Sequence, residues 1–163
     1  MSTGSNDKKN NIVQELPKNR ICATCPTWLY QMGANKIDFT LIGISFYHLF
    51  ALVIRRTDGA TLVARGGPSG SPDGSYGKLI ATLSSWEDSI EAGRPGLTFR
   101  DLETSEQNRT LTIYSESERI HNLKLDYAPT GPNSNSFAMS VVEGAGLPAL
   151  SPVVKAPGKG MRI

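Results

Sequence analysis

The chain has 163 residues, 39% of them hydrophobic and 20% charged, with a formal net charge of +2. These values fit one soluble globular domain with a sizeable core. They argue against a nucleic-acid partner, because no basic stripe with interleaved aromatic residues accompanies the small charge. The longest apolar run, residues 41–54, is interrupted by Gly43, Ser45 and His48, so we predict no membrane span. The polar start, residues 1–11, lacks the apolar centre of a signal peptide, which predicts a cytoplasmic protein or one exported without a cleaved signal.

Strand signals dominate the first half of the chain. The predicted elements are a flexible arm over residues 1–18, a short helix over 27–32 that Gly33 stops, and strands over 38–44, 45–55 and 60–64. The last two strands are predicted to form a hairpin through Arg56-Thr57-Asp58-Gly59, because Asp-Gly favours the positive φ angles of a type I′ turn.

The second half of the chain mixes helix and strand signals. The predicted elements are a loop over residues 65–77, a helix or strand over 78–86, a helix starting at 85–88 and ending at Gly93, a strand over 111–114, a helical turn over 115–120, a strand over 123–127 and an extended Pro/Gly-rich tail over 149–163. Residues 19–148 are therefore predicted to form the single folded domain.

A further helix is predicted to begin at Asn133 or Ser134. Both residues are good helix N-caps, because their side-chain oxygens can accept unpaired N–H groups of the first turn. Phe137 and Val141 fall on one face of this helix, and Gly144 is typical of its end.

The two cysteines, Cys22 and Cys25, form the sequence Cys-Ala-Thr-Cys. A zinc site needs a second pair of ligands at matching spacing, and none is present, so we predict no metal and no cofactor. A redox-active pair would require a strand before it and a helix after it. Plain thiols and a structural disulfide are the remaining interpretations.

A candidate catalytic pair combines Ser134 with His48. A hydroxyl in the first turn of a helix lies beside unpaired N–H groups and the positive end of the helix dipole, which stabilise an oxyanion. A histidine on a neighbouring strand can accept the proton. Asn133, Asn135 and Ser136 are the candidate orienting or oxyanion residues.

Other residues could share or replace these roles. His121 is the alternative base, and Asp88 and Asp126 are both candidates to orient the imidazole. Each residue of the pair also has a structural interpretation, since Ser134 could simply cap its helix and His48 could be a buried core residue.

The segment Asn133-Ser134-Asn135-Ser136-Phe137-Ala138 resembles the Asn-Cys-Asn-x-Phe motif of PPPDE (DeSI-type) thiol peptidases. These belong to the permuted papain-fold group, together with NlpC/P60-like and LRAT-like proteins. The strand of His48, the Asp58-Gly59 turn and the following Arg65-Gly66-Gly67-Pro68 are also similar to that family, over roughly residues 38–148. The segment is similar as well to C-terminal domains of bacterial secreted and polymorphic-toxin proteins.

The resemblance implies an α+β fold in which an antiparallel sheet, with the His48 strand near its centre, packs against the helix that begins at Ser134. It also implies a His–Cys dyad, but this chain has Ser134 where the family has cysteine. Three explanations are open: a serine that is itself the nucleophile, an inactive site kept as a binding fold, and an engineered cysteine-to-serine change.

The predicted function is therefore a hydrolase or acyl transferase that acts on an amide, thioester or ester. The implied partners are a protein, peptide or acyl-bearing substrate, and an inhibitory or immunity protein if the chain is a bacterial effector. The alternatives are a non-catalytic binding module on the same fold and an assembly protein that docks through its tail.

Overall fold

The computed structural model describes residues 20–39, 44–148 and 156–163, which form a five-stranded antiparallel sheet with two helices on one face. The strands are β1 (Trp28–Phe39), β2 (Ile44–Arg55), β3 (Thr61–Pro68), β4 (Leu79–Ser85) and β5 (Thr98–Ser105), and the helices are α1 (Thr110–Asn122) and α2 (Ser134–Gly144). The strand order is β4-β3-β2-β1-β5. The α+β class, the antiparallel sheet and the central position of the His48 strand are confirmed. Within the described ranges, no helix is long and apolar enough to cross a membrane.

The sheet separates two hydrophobic clusters, because successive side chains of a strand point to opposite faces. Leu49, Ala51 and Val53 of β2 pack on the helix side with residues of α1 and α2. The alternate residues of β2 pack on the other side with Trp86 and Ala92, and they are Phe50, Leu52 and Ile54. The long apolar run of β2 therefore reflects burial on both faces.

β2 and β3 diverge at one end of the sheet, leaving a gap that we call the fork. β2 pairs with β1 along its whole length, but it pairs with β3 only between residues 51–54 and 61–64. Beyond this point β3 pairs with β4 alone. The start of α2 fills the fork. At Gly66 of β3, an added Cβ would lie 2.7 Å from Cβ of Phe137, so the close approach of the helix needs glycine there.

The predicted hairpin is confirmed, but its turn type is wrong. β2 and β3 are antiparallel, and Gly59 has φ of 79°. A type I′ turn needs positive φ at both central residues, and Asp58 does not have it. The Gly59 N–H instead donates to the oxygen of Arg55 at 2.7 Å, which closes a longer loop.

The helix predicted over residues 27–32 is wrong, because residues 28–32 belong to β1. Pairing with β2 and β5 on its two sides outweighs the weak local preference. Gly33 does not end a helix; it lies opposite Phe50, whose ring fills the space that a side chain would occupy. The strand predicted over 38–44 is divided between the end of β1 and the start of β2, with residues 40–43 outside the described ranges.

The strand predicted over residues 111–114 is also wrong, since these residues belong to α1. Ile113, Ser117 and Ile120 are buried and recur at helical spacing, so one face of α1 packs onto the sheet. This helix includes the helical turn predicted over 115–120.

The remaining differences concern short elements. No element is predicted over residues 98–105, where β5 lies, and residues 78–86 are resolved as strand β4. The helix start predicted at 85–88 is a 3₁₀ turn, Ile90–Gly93, capped by Ser89. The strand predicted over 123–127 is reduced to a single bridge between Lys78 and Asp126.

The described part of the C-terminal tail, residues 156–163, packs along α2. The N–H of Ile163 donates to Oγ of Ser140 at 2.9 Å, and Arg162 forms an ion pair with Glu143. The predicted arm and residues 149–155 of the tail lie outside the described residues.

Cys22 and Cys25 form a disulfide, one of the interpretations left open by the sequence. The N–H of Cys22 donates to the oxygen of Arg56 at 2.9 Å, so this loop is held against the β2–β3 turn. That turn is at the opposite end of β2 from the fork.

Candidate functional site

The start of α2 is organised by Asn133. Its Oδ1 accepts the N–H groups of Asn135 and Ser136 at 3.0 and 3.1 Å, and Oγ of Ser136 accepts the N–H of Asn133 at 2.7 Å. The helix therefore begins as predicted, with Asn133 as its cap in a reciprocal capping box. The backbone N–H groups of Asn135 and Ser136 therefore already donate to the cap, and they are not free to act as oxyanion donors in this conformation.

Ser134 is the first residue of α2 but does not cap it. Its side chain is buried, with the residue 2% exposed, and its Oγ has no hydrogen-bond partner among the described residues. Burying a hydroxyl without a partner costs about 1–3 kcal/mol. An unpaired polar atom of this kind needs an explanation, and a functional site is one of the few that apply.

Asn135 fixes α2 to the free edge of β2. Its Oδ1 accepts the N–H of Leu49 at 2.8 Å, and its Nδ2 donates to the oxygen of Tyr47 at 3.0 Å. The Nδ2 also donates to the oxygen of Pro157 in the C-terminal segment at 2.8 Å. The side chain thus replaces a missing β3 neighbour at the residues on either side of His48.

A cavity of about 330 Å³ lies at the fork, next to the start of α2. Its lining combines polar residues of the predicted site with aromatic residues and prolines, namely Tyr47, His48, Tyr76, Tyr127, Pro129, Thr130, Asn133, Ser134, Asn135 and Pro157. Ser134 and His48, which lie far apart in sequence, are therefore brought to one cavity. Ser136, the fifth predicted site residue, is buried in the cap and does not line it.

His48 is held differently from Ser134. Unbroken pairing with β1 places it opposite Asn35 and on the same side of β2 as Phe50, whereas α2 packs on the other side. Its Nδ1 is buried without a hydrogen-bond partner among the described residues, and no hydrogen bond joins it to Ser134. Both residues nevertheless line the cavity at the fork.

The surroundings of His48 keep its imidazole neutral. Burial, together with the nearby positive charges of Arg94 and Arg65, lowers the pKa of His48 to about 4. The ring is thus an acceptor at neutral pH, as a general base must be, although the low pKa makes it a weak one.

A cluster around the buried carboxylate of Glu91 lies on the side of the sheet that His48 shares with Asn35. Glu91 is 1% exposed; it accepts a hydrogen bond from Asn35 Nδ2 and one from Arg65 Nε, the latter at 3.2 Å. Burial raises the pKa of Glu91, and the charges of Arg65 and Arg94 oppose that rise. Sequence reasoning missed this cluster, since a lone glutamate in a turn carries no local signal of burial.

The alternative residues do not join the site. His121 lies on α1, where its Nδ1 accepts the N–H of Ala81 at 2.9 Å. Asp126 is exposed and pairs with Lys78 at 2.5 Å. Asp88 is exposed in the loop after β4. None of the three lines the cavity, and no hydrogen bond joins either aspartate to His48 within the part of the chain that is described.

Sequence reasoning also missed much of the cavity wall. Tyr76, Pro129 and Pro157 come from three separate loops and reach the site only through tertiary contacts. Tyr127 carries a signal in the sequence, since it ends the alternating segment 123–127 just before the predicted helix. Across the described ranges, no three His, Cys, Asp or Glu side chains are grouped to hold a metal ion.

Comparison with known proteins adds no relative, since no family model, no curated protein and no solved structure matches this chain.

Proposed function

We propose that this chain is a hydrolase or acyl transferase with a circularly permuted papain-like arrangement, in which Ser134 attacks an amide, thioester or ester carbonyl. One observation carries the proposal: the Ser134 hydroxyl is buried without a partner among the described residues, and Ser134 lines a cavity that His48 also lines. The capping role that would explain this serine structurally belongs to Asn133.

The proposed reaction has two steps, acylation of Ser134 and release of the acyl group. Ser134 Oγ forms a bond to the carbonyl carbon while its proton passes to His48, and the bond to the leaving group breaks as that group takes the proton. Water, or an acceptor alcohol or amine, then forms a bond to the acyl carbon and gives a proton to His48, and the bond to Oγ breaks as Ser134 takes that proton. The positive end of the α2 dipole favours the negative charge that develops on the carbonyl oxygen.

The reaction requires Oγ of Ser134 and a ring nitrogen of His48 to come within hydrogen-bond distance, and two residues can line one cavity without doing so. Catalytic hydrogen bonds are often long in a free enzyme and shorten when substrate binds. What supports the proposal is that Asn135 bonds the backbone on both sides of His48, which keeps the start of α2 beside the His48 strand.

The experiment compares the wild-type protein with Ser134→Ala, Ser134→Cys and Ser117→Ala on a panel of activated esters, thioesters and amides. Ser117 is a matched control, because its Oγ is also buried without a partner but lies on α1, away from the cavity. We expect Ser134→Ala to lose turnover and Ser117→Ala to keep it. Equal turnover by wild type and Ser134→Ala would refute the proposal. Activity that appears only in Ser134→Cys would show that the site supports a cysteine nucleophile and is inactive with serine at this position.

A second candidate is a binding module that performs no chemistry. It is favoured by the occupied N–H groups of Asn135 and Ser136 and by the absence of a Ser134–His48 hydrogen bond. This candidate predicts that ligands bind wild type and Ser134→Ala with similar affinity and are recovered unchanged. A bacterial effector role, against peptidoglycan peptides or another protein, would fit either candidate and rests on the resemblance alone.

A further inference from the structure

We propose that the substrate presents an uncharged, apolar acyl group to the cavity at the fork, an inference that rests on the proposed hydrolase or acyl transferase function. The cavity wall is built largely from rings. Tyr47, Tyr76 and Tyr127 contribute aromatic surface, and Pro129 and Pro157 contribute aliphatic surface. Such a wall favours an apolar group, because the transfer of apolar surface out of water is favourable.

The pair formed by Tyr76 and Tyr127 is the part of the wall that an acyl group would meet from solvent. Their ring centroids are 5.5 Å apart and the ring planes are inclined by 37°. Tyr76 remains 53% exposed, so its apolar surface is not yet buried by the protein. A bound acyl chain would cover it.

The asparagine side chains of the wall are already hydrogen-bonded within the protein. Asn133 Nδ2 donates to the oxygens of Pro129 and Pro157, at 2.8 and 3.0 Å. Asn135 Nδ2 donates to Tyr47 and Pro157. The hydroxyl of Ser134, which is the proposed nucleophile, is the buried side-chain oxygen of the wall that is left without a partner among the described residues.

A charged substrate group would find no opposite charge in this wall. None of the described lining residues is an aspartate, glutamate, lysine or arginine. Asp126, next to Tyr127 in the chain, is exposed and already paired with Lys78. Burying a carboxylate or an ammonium without a partner is strongly unfavourable, so the wall selects against both.

The experiment uses two esters of para-nitrophenol that differ only at the end of the acyl chain. One carries hexanoate and the other carries adipate, which has the same number of carbons and ends in a carboxylate. Turnover by Ser134→Ala is subtracted from each rate. We expect kcat/KM to be at least about tenfold higher for the hexanoyl ester, a difference of about 1.4 kcal/mol in transition-state stabilisation.

Tyr76→Ala should reduce this preference several-fold. Tyr114→Ala should leave it unchanged, because Tyr114 is 45% exposed on α1 and does not line the cavity. Equal kcat/KM on the two esters, with turnover still dependent on Ser134, would overturn the inference and leave the proposed function standing.

A binding measurement distinguishes failure of the proposed function from failure of this inference. Hexanophenone, which cannot be hydrolysed, and its analogue with a terminal carboxylate are titrated into Ser134→Ala and followed by NMR. If neither ester is turned over but hexanophenone alone shifts the resonances of Tyr76 and Tyr127, the proposed function fails and the ligand class stands. If the carboxylate analogue binds as tightly, or if neither ketone binds and neither ester reacts, the inference is wrong.

Discussion

The side chain of Asn135 accepts the backbone N–H of Leu49 across the fork, with a distance of 2.8 Å between Oδ1 and N. Leu49 is fully buried, so water cannot replace this partner. Because the same side chain also bonds Tyr47, one residue sets the position of α2 relative to β2. The placement of Ser134 and His48 at one cavity therefore depends on Asn135, which is neither the proposed nucleophile nor the proposed base.

The first prediction concerns this contact. Asn135→Ala should lower the free energy of unfolding by about 2–3 kcal/mol, because it leaves the N–H of Leu49 and the oxygen of Tyr47 unsatisfied. Urea denaturation measures the change. Asn122→Ala, at an exposed position near the end of α1, is the control and should change stability by less than about 0.5 kcal/mol. Equal stability of the two variants would show that the contact across the fork is dispensable.

The second prediction concerns the close approach of α2 to β3. Gly66→Ala should destabilise the fold by about 1–3 kcal/mol, because its Cβ would lie 2.7 Å from both Cβ and Cγ of Phe137. Gly93→Ala is the matched control, since no atom lies within 4 Å of its added Cβ. Thermal unfolding of both variants measures the difference. A Gly66→Ala melting temperature equal to that of Gly93→Ala would contradict the packing.

The third prediction concerns the C-terminal segment. Gly158 has φ of 85°, and an added Cβ would lie 2.6 Å from Oδ1 of Asn133. Gly158→Ala should therefore disturb the cap of α2 and reduce any activity or binding that depends on Ser134. Gly160→Ala meets no atom within 4 Å and should behave like wild type. The readouts are turnover and the NMR shifts of residues at the start of α2, and unchanged shifts in Gly158→Ala would remove the segment from the site.

The fourth prediction concerns pH. The pKa of His48 is about 4 in the folded protein and about 6.5 in the unfolded chain. Between these values the unfolded chain binds a proton that the folded protein does not, so stability falls as the pH falls through this window. Between pH of about 7 and about 4, the free energy of unfolding of wild type should fall by at most about 3 kcal/mol more than that of His48→Gln.

Urea unfolding across this pH range tests the prediction. The raised pKa of Glu91 acts in the opposite direction, since burial favours the protonated carboxyl as the pH falls. Glu91 is present in both proteins, so the difference between their pH curves isolates His48. Parallel curves would mean that His48 takes up its proton in the folded state as readily as in the unfolded chain.

Local signals predict the cap of α2 and the β2–β3 hairpin. The sequence offers Asn133 as one of two possible caps, and the structure selects it because its oxygen accepts two N–H groups at once. Asp58-Gly59 predicts the position of the β2–β3 hairpin, although not its turn type. Caps and turns depend mostly on neighbours within a few residues, so the sequence indicates where they occur.

The segments whose structure depends on distant partners were predicted poorly. Residues 28–32 form a strand where a helix is predicted, because pairing with β2 and β5 decides their conformation. Residues 111–114 form a helix where a strand is predicted, because Ile113 and Ile120 pack onto the sheet. Glu91 is buried only because β1 and β3 bring Asn35 and Arg65 to it.

Patterns in the sequence are enough to predict the α+β class, the central strand of His48 and the helix that begins at Ser134. Tertiary structure alone decided that the Ser134 hydroxyl is buried without a partner, that tyrosines from separate loops form its cavity and that His48 lies on the side of β2 shared with Phe50. The physical reason is that a shift of one residue in strand pairing reverses the direction of every side chain, and that pairing is set by contacts between segments far apart in the chain.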